Sequence, residues 1–170
     1  RSGAGGNFHV SNFSVKDENG KVTKTNVGKV TINDAKLEGW PNSSGNFLMN
    51  DGTVLNLNGG TVTGGNIELI KSAQFNWKGG VIESNLTVNG GTVALEGTPN
   101  FSGILMTSNE GKVDISKLST DARIKVLPTG VFTTESDNID AYLDVFTPAA
   151  ATCSVVKEGK ALSGSIIVPS

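Results

Sequence analysis

An apolar pattern that recurs at a nearly constant interval constrains the fold of this chain more than any other feature of its sequence. Pairs of mostly apolar residues, spaced two apart, recur along the chain, and the interval between successive pairs becomes constant from Ile67 onwards. A spacing of two is the periodicity of a β-strand, whose alternate side chains point to one face. These pairs form a first column, which comprises Phe13/Val15, Val30/Ile32, Phe47/Met49, Ile67/Leu69, Leu86/Val88, Leu105/Thr107, Ile124/Val126 and Leu143/Val145.

A second column of paired residues lies later in each repeat and recurs at a similar interval. Its members are Leu55/Leu57, Phe75/Trp77, Val93/Leu95, Val113/Ile115 and Val131/Thr133. Glycine pairs follow the same period, at Gly59-Gly60, Gly79-Gly80 and Gly90-Gly91. Because glycine adopts positive φ without steric cost, we expect these pairs at the corners between strands.

The repeat predicts an all-β fold, a single-stranded parallel β-helix of about seven to nine coils with a period of 17 to 20 residues. Such a short coil leaves no room for a helix, and its strands bury their apolar face only by stacking on the next coil. We therefore expect Ile67, Leu86, Leu105, Ile124 and Leu143 to form one inward stack, with Cα atoms about 5 Å apart. A β-sandwich also has short alternating strands, but it would not keep one register over five repeats.

The 170 residues are expected to form one solenoid domain. Residues 1–12 and 146–170 fit the repeat poorly, and terminal units of solenoids differ because they must cover an exposed core and unpaired strand edges. We interpret 1–12 as an N-terminal cap or tag, 13–145 as coils and 146–170 as a C-terminal cap. That the chain is a fragment of a longer surface protein stays an open alternative.

Charge and cysteine content limit the classes of partner. The formal net charge is −2, from 14 basic and 16 acidic residues, which argues against binding to nucleic acid or an anionic membrane. The apolar runs are only a few residues long, too short to cross a bilayer. The single cysteine, Cys153, excludes an internal disulfide framework and a cysteine-rich zinc site.

The stretch Leu86-Thr87-Val88-Asn89-Gly90-Gly91-Thr92-Val93-Ala94-Leu95-Glu96-Gly97 resembles the repeats of bacterial autotransporter passengers and related surface adhesins. The likeness lies mainly within residues 50–100, and these repeats are similar to one another. The resemblance implies a right-handed β-helix that is secreted or displayed on a bacterial surface, where it serves adhesion, display or spacing. It also implies a partner such as a host surface or a polysaccharide, and it brings no catalytic residues. We expect a monomer.

Four residues are candidates for ligand binding. Asp121 and Asp140 are separated by one full repeat interval, so an unbroken register would stack them on adjacent coils, with Arg123 nearby. Like charges in that position repel, and Arg123, a calcium ion or solvent would compensate; a solvated corner is favoured over calcium, which needs six to eight oxygen ligands. Trp40 precedes a proline in a loop and is the candidate for stacking on a sugar ring, although packing of this indole at a corner is favoured.

Catalysis is not expected, because the only histidine, His9, lies near one end of the chain and a Ser-His-Asp or Cys-His apparatus needs an imidazole beside its nucleophile. No cofactor is expected. Two alternatives stay open: a β-helix fragment that binds or cleaves an acidic polysaccharide, and a segment of a phage or viral spike. Converging carboxylates, Arg123 and an aromatic in one groove would favour the first, and trimerisation the second.

Overall fold

The computed structural model describes residues 8–39, 47–108, 110–128, 137–150 and 165–167. Its regular elements are β-strands apart from one 3₁₀-helix, η1 (Asp137–Tyr142), as the period-two pattern predicts. The strands are β1 (Phe8–Val10), β2 (Phe13–Lys16), β3 (Val22–Asn26), β4 (Lys29–Ile32), β5 (Lys36–Glu38), β6 (Phe47–Met49), β7 (Val54–Leu57), β8 (Thr61–Thr63), β9 (Ile67–Trp77), β10 (Val81–Ile82), β11 (Leu86–Gly97), β12 (Asn100–Phe101), β13 (Ile104–Thr107), β14 (Lys112–Leu118), β15 (Ile124–Pro128), β16 (Phe146–Pro148) and β17 (Ser165–Ile167).

Parallel strands stack into a β-solenoid with three faces, which confirms the parallel β-helix expected from the repeat. The first face contains β1, β6, the first halves of β9 and β11, then β13, β15 and β16. The second face contains β4, β7, the second halves of β9 and β11, then β14 and β17. The third face contains β5, β8, β10 and β12. In the part of the chain that the structure describes, the solenoid has about four turns, and the predicted count of seven to nine coils stays a prediction.

The central coils have the predicted register. On the first face Phe47, Ile67, Leu86 and Leu105 are successive Cα partners. On the second face the same holds for Leu55, Phe75, Val93 and Val113. All eight side chains are buried, so each column forms a continuous apolar stack in the centre of the solenoid.

β9 and β11 each pass from the first face to the second through a bend. At the bend Lys71 has φ 49°, and its partner Gly90 on the next coil has φ 100°. A Cβ on Gly90 would lie 2.6 Å from the backbone N of Lys71. Glycine is therefore required there by both its backbone angle and the close approach of the coil beside it.

Two pairs of the predicted first column do not belong to it. Phe13/Val15 lies in β2, which forms an antiparallel hairpin with β3 outside the solenoid, and both side chains are exposed. Val30/Ile32 lies in β4, which pairs with β7 and so extends the second face. Instead, β1 precedes Phe47 on the first face, with Val10 opposite Met49.

The register also changes beyond Leu105. Leu105 pairs with Val126, and Ile124 pairs with Phe146, so the prediction that Ile124 and Leu143 continue the stack at an unchanged interval is wrong. Ile124 is still buried, but Leu143 lies in the turn after η1 and is only partly buried. On the second face Val113 pairs with Ile166. Val131/Thr133, predicted to follow Val113, lie outside the described residues.

The third face was not predicted from the sequence. Its inward column is Leu37, Val62, Ile82 and Phe101, which are successive Cα partners. Each coil contributes a single apolar residue to this column, with Val62 and Ile82 buried and Leu37 and Phe101 partly buried. The face therefore lacks the paired apolar signature that marks the other two. Among the described residues, no helix has the length and apolar character needed to cross a bilayer.

Candidate functional site

Asp121 and Arg123 lie in the turn between β14 and β15, and both are exposed. The guanidinium of Arg123 donates from Nη1 to the backbone carbonyls of Thr120 and Ala122, at 3.0 and 2.7 Å. The backbone N–H of Asp121 donates to the hydroxyl of Ser119 at 3.2 Å. The hydrogen bonds of these two residues therefore stabilise the turn in which they lie.

Asp140 lies in η1 rather than in the ladder. The predicted stacking of Asp121 and Asp140 assumed that the repeat interval stays constant, but Ile124 pairs with Phe146 at this level of the solenoid. The interval from Ile124 to its partner Phe146 is longer than the repeat interval assumed from the sequence, and it includes the residues of η1. Trp40, the fourth candidate, lies outside the described residues.

Calcium is one of the ways in which the charges of Asp121 and Asp140 could be compensated. Within the described ranges, no group of three or more histidine, cysteine, aspartate or glutamate side chains is arranged to hold a metal ion. The expectations about calcium and cofactors stay predictions.

The outward side of the second face carries a directional chain of side-chain hydrogen bonds. Gln74 Nε2 donates to Asn76 Oδ1 at 2.8 Å, and Asn76 Nδ2 donates to Asn56 Oδ1 at 2.8 Å. Asn56 Nδ2 then donates to the hydroxyl of Thr31 at 3.3 Å. The chain links three neighbouring strands, β9, β7 and β4, because in-register stacking places Thr31, Asn56 and Asn76 in one outward column.

This outward column is interrupted at Ala94, the partner of Asn76 on the next coil. Beyond Ala94 the column resumes at Asp114. Because the side chain of Ala94 is only a methyl group, it leaves a gap between the amide of Asn76 and the carboxylate of Asp114. This gap forms the floor of a groove of about 220 Å³. The lining residues are Gln74, Asn76, Lys78, Ala94, Leu95, Glu96, Asp114, Ser116 and Lys117.

A β-bulge shapes one wall of the groove. Ala94 pairs with Asp114 but Glu96 pairs with Lys117, so β14 has one extra residue between these two pairs. The carboxylate of Asp114 accepts a hydrogen bond from the backbone N–H of Ser116 at 2.9 Å, which stabilises the bulge. Bulges re-aim side chains and frequently occur beside functional sites; here Ser116 and Lys117 are both exposed.

Charged residues alternate across the coils at one end of the groove. Lys78 and Glu96 follow the partners Trp77 and Leu95, and Glu96 pairs in turn with Lys117. In the described part of the chain, none of these three side chains has an opposite charge within 4.0 Å. Two ammonium groups and one carboxylate are therefore available to a ligand in the groove, together with the Asp114 carboxylate and the amides of Gln74 and Asn76.

A second polar cluster surrounds Asp51, at the corner of the solenoid next to the hairpin. The Asp51 carboxylate accepts hydrogen bonds from the hydroxyl and the backbone N–H of Ser72, and Lys71 Nζ lies 3.9 Å from its Oδ2. The hydroxyl hydrogen bond is the main cause that lowers the pKa of Asp51, against an opposing contribution from desolvation. This cluster is exposed and links the loop before β7 to the bend of β9.

None of the groove residues was singled out as a candidate from the sequence. Asn56, Asn76 and Ala94 recur at the same intervals as Leu55, Phe75 and Val93 of the neighbouring apolar column, each lying one position later. Following the outward positions between the paired apolar residues would have shown an amide column that stops at Ala94. Comparison with known proteins finds no family model, no curated protein and no solved structure that matches this chain.

Proposed function

We propose that this chain is a non-enzymatic β-solenoid module, secreted or displayed on a bacterial surface, that serves adhesion, display or spacing. The groove at Ala94 is the observation that carries the proposal of adhesion, because it presents amides, carboxylates and ammonium groups on a rigid, stacked scaffold. Sites placed on regular elements hold their geometry better than sites on loops. The likeness to adhesin repeats over residues 50–100 supports the surface location.

Carbohydrate is the ligand class that suits this groove. A sugar ring presents closely spaced hydroxyls, which both donate and accept hydrogen bonds. Amide groups such as those of Gln74 and Asn76 do the same, and carboxylates such as Asp114 accept strongly from hydroxyls. A host-surface glycan or a polysaccharide, extended along the outward side of the second face, is therefore the proposed partner.

The test is binding to a panel of neutral and acidic polysaccharides, measured by calorimetry with the wild-type chain and two variants. Ala94→Asn places in the gap the residue type found at the equivalent positions of the preceding coils, Asn56 and Asn76, so the fold is expected to persist while the groove is filled. We expect it to weaken binding at least about tenfold. Thr87→Asn introduces an asparagine at an outward position of the first face, away from the groove, and should leave binding unchanged.

Equal affinity of Ala94→Asn and the wild-type chain for every polysaccharide that binds would contradict the groove as the site. Absence of binding throughout the panel would leave spacing or display as the role. Release of reducing ends from a bound polysaccharide would contradict the non-enzymatic assignment and favour the cleaving alternative.

We also propose that the solenoid is right-handed, capped and monomeric. Connections between parallel strands of one sheet are right-handed in the great majority of proteins, which supports the handedness. Tyr142 at the end of η1 is buried and donates its hydroxyl to the carbonyl of Leu118 at 3.2 Å, which supports η1 as a C-terminal cover for the core. Size-exclusion chromatography with light scattering should give the mass of one chain.

A further inference from the structure

The exposed apolar surface of the described chain is concentrated in one segment, residues 11–29, which contains the hairpin of β2 and β3. Phe13, Val15, Val22 and Val27 are 65%, 40%, 48% and 57% exposed, and they are the large apolar side chains with high exposure among those whose burial the structure describes. Exposed apolar residues that cluster in this way, rather than being scattered, mark surfaces of interaction.

The hairpin has water on both faces. Phe13 and Val15 share one face with Lys24, because Val15 and Lys24 are direct partners. Ser14 and Thr25 lie on the other face, where their hydroxyl oxygens are 3.3 Å apart, and side chains of both faces are exposed. An isolated two-stranded hairpin is only marginally stable in water, and a third strand or a packing partner is what stabilises such a pair.

The hairpin is nevertheless held firmly at its base. The side chain of Asn12 donates to the backbone carbonyl of Asp51 at 2.7 Å and accepts from the backbone N–H of Gly28 at 3.1 Å. The first bond joins the hairpin to the loop before β7, and the second joins the two ends of the hairpin to each other. At the other end the backbone N–H of Val54 in β7 donates to the carbonyl of Gly28 at 2.9 Å. β2 is thus presented to solvent with one edge paired to β3 and, within the described residues, the other edge unpaired.

Charge indicates what kind of segment fits this edge. Residues 11–29 contain four lysines, Asp17 and Glu18, a net charge of +2 in a chain whose total is −2. The Asp17 carboxylate is engaged inside the turn, where it accepts from the backbone N–H groups of Asn19 and Lys21, both at 2.9 Å. In the described part of the chain the four lysines have no carboxylate within 4.0 Å, so a second copy would meet like charge and an acidic segment would meet opposite charge.

We propose that β2 binds an extended acidic segment of a partner protein, which adds to the hairpin as a third strand. The alternation in β2 is apolar at Phe13 and Val15 and polar at Ser14 and Lys16. A segment that alternates apolar and acidic residues places its apolar side chains beside Phe13 and Val15 and its carboxylates beside Lys16, while its backbone pairs with the free edge. This site is separate from the groove at Ala94.

The probe is a short synthetic peptide of alternating glutamate and valine, with an alternating lysine and valine peptide as the charge control. Binding is followed by the backbone amide resonances of the full chain. We expect the glutamate peptide to shift resonances of residues 13–26 in a saturable way, with affinity that falls as salt is added. The lysine peptide should leave these resonances unchanged.

Two variants of matched chemistry locate the contact. Val15→Thr in β2 should weaken binding of the glutamate peptide by about tenfold. Val22→Thr makes the same kind of change in β3, away from the free edge of β2, and should alter affinity less than about twofold. Equal binding of both peptides, no shift in residues 13–26, or equal losses in the two variants would overturn the proposal. Hairpin shifts that depend on protein concentration alone would show that the occupant is a second copy, and would overturn it as well.

Discussion

The central coils and the N-terminal hairpin are built from similar sequence patterns but differ in what lies beside them. Leu86/Val88 and Phe13/Val15 are both apolar pairs at a spacing of two, yet Leu86 is fully buried and Phe13 is 65% exposed. Leu86 has parallel partners on both sides, in β9 and β13, whereas Phe13 has one antiparallel partner in β3. Alternation therefore specifies a strand, but burial depends on neighbouring coils.

The two regions also differ in how the chain turns. In the hairpin, Asn19-Gly20 lies in a tight turn, where Gly20 has φ 77° and its N–H donates to the carbonyl of Asp17 at 3.0 Å. Asn-Gly between two alternating runs is a strong short-range signal for a hairpin. The corner glycines Gly60, Gly80 and Gly91 have similar φ, but they lie against the backbone of the preceding coil. Their conformation thus serves stacking between coils as well as the local turn.

The largest expected difference between the two regions is the response to loss of a large apolar side chain. Leu86→Ala should lower the free energy of unfolding by about 2–5 kcal/mol, because it leaves a cavity in a buried stack. Phe13→Ala should change it by no more than about 0.5 kcal/mol, because the ring already lies in water. Denaturant unfolding of both variants checks this, and comparable losses would contradict the proposed burial of the two sites.

Replacing one glycine in each region by alanine compares the coils with the hairpin at positions of nearly equal φ. Gly91 has φ 71°, and an added Cβ would lie 2.2 Å from the carbonyl oxygen of Ala73; Gly20 has φ 77° and nothing within 4 Å. Gly20→Ala should cost only the intrinsic strain of a left-handed residue, about 1–2 kcal/mol. Gly91→Ala adds a backbone overlap, so its loss in unfolding free energy should be clearly greater. Equal losses would show that the coils are not stacked as closely as described.

The hydrogen-bonded side chains of the second face provide a smaller effect. Asn56→Ala removes the amide that donates to the Thr31 hydroxyl and accepts from Asn76 Nδ2. The loss of these two hydrogen bonds should lower the free energy of unfolding by about 1 kcal/mol. The control is Ser14→Ala, which removes an exposed hydroxyl contact in the hairpin and should have an effect below about 0.5 kcal/mol. An effect of Ser14→Ala as large as that of Asn56→Ala would mean that the amide chain gives no special support to the coils.

The sequence predicted the parts of the fold that repeat locally and missed those that depend on the spacing between coils. Strand alternation identified the stacks through Ile67 and Phe75 correctly. It placed Ile124 beside Leu105 because the period was assumed constant, whereas the ladder pairs Leu105 with Val126. Only the three-dimensional pairing shows where a loop of different length moves the register.

The groove at Ala94 was not among the sites predicted from the sequence, for a different reason. Motif reasoning looks for charged and aromatic side chains, and it selected Trp40, Asp121, Arg123 and Asp140, whose role in binding stays a prediction. The groove arises instead from a small residue, Ala94, in a column of larger ones, together with a one-residue bulge in β14. A gap of this kind becomes visible only after the register fixes which residues are neighbours.

The smallest expected effect concerns Asp51, at the junction between the hairpin and the coils. The hydroxyl of Ser72 is the main cause that lowers the pKa of Asp51 below its ordinary value of 3.8. A lowered pKa in the folded state means that the contribution to stability is present above pH 3.8 and is lost as the pH falls through the folded value. A carboxyl titration by NMR should give a midpoint below 3.8 in the wild-type chain and a higher one in Ser72→Ala; equal midpoints would contradict the role of this hydrogen bond.

Residue-resolved hydrogen exchange of the intact chain tests the central claim most directly, since exchange rates report which backbone hydrogen bonds open only with the core. The stacked-solenoid account predicts strong protection in β9 and β11, whose strands have partners on both sides along both faces. It predicts that amides of β2 and β3 exchange orders of magnitude faster, because this two-stranded pair is exposed on both faces. Comparable protection of the hairpin and the central coils, or rapid exchange throughout β11, would contradict it.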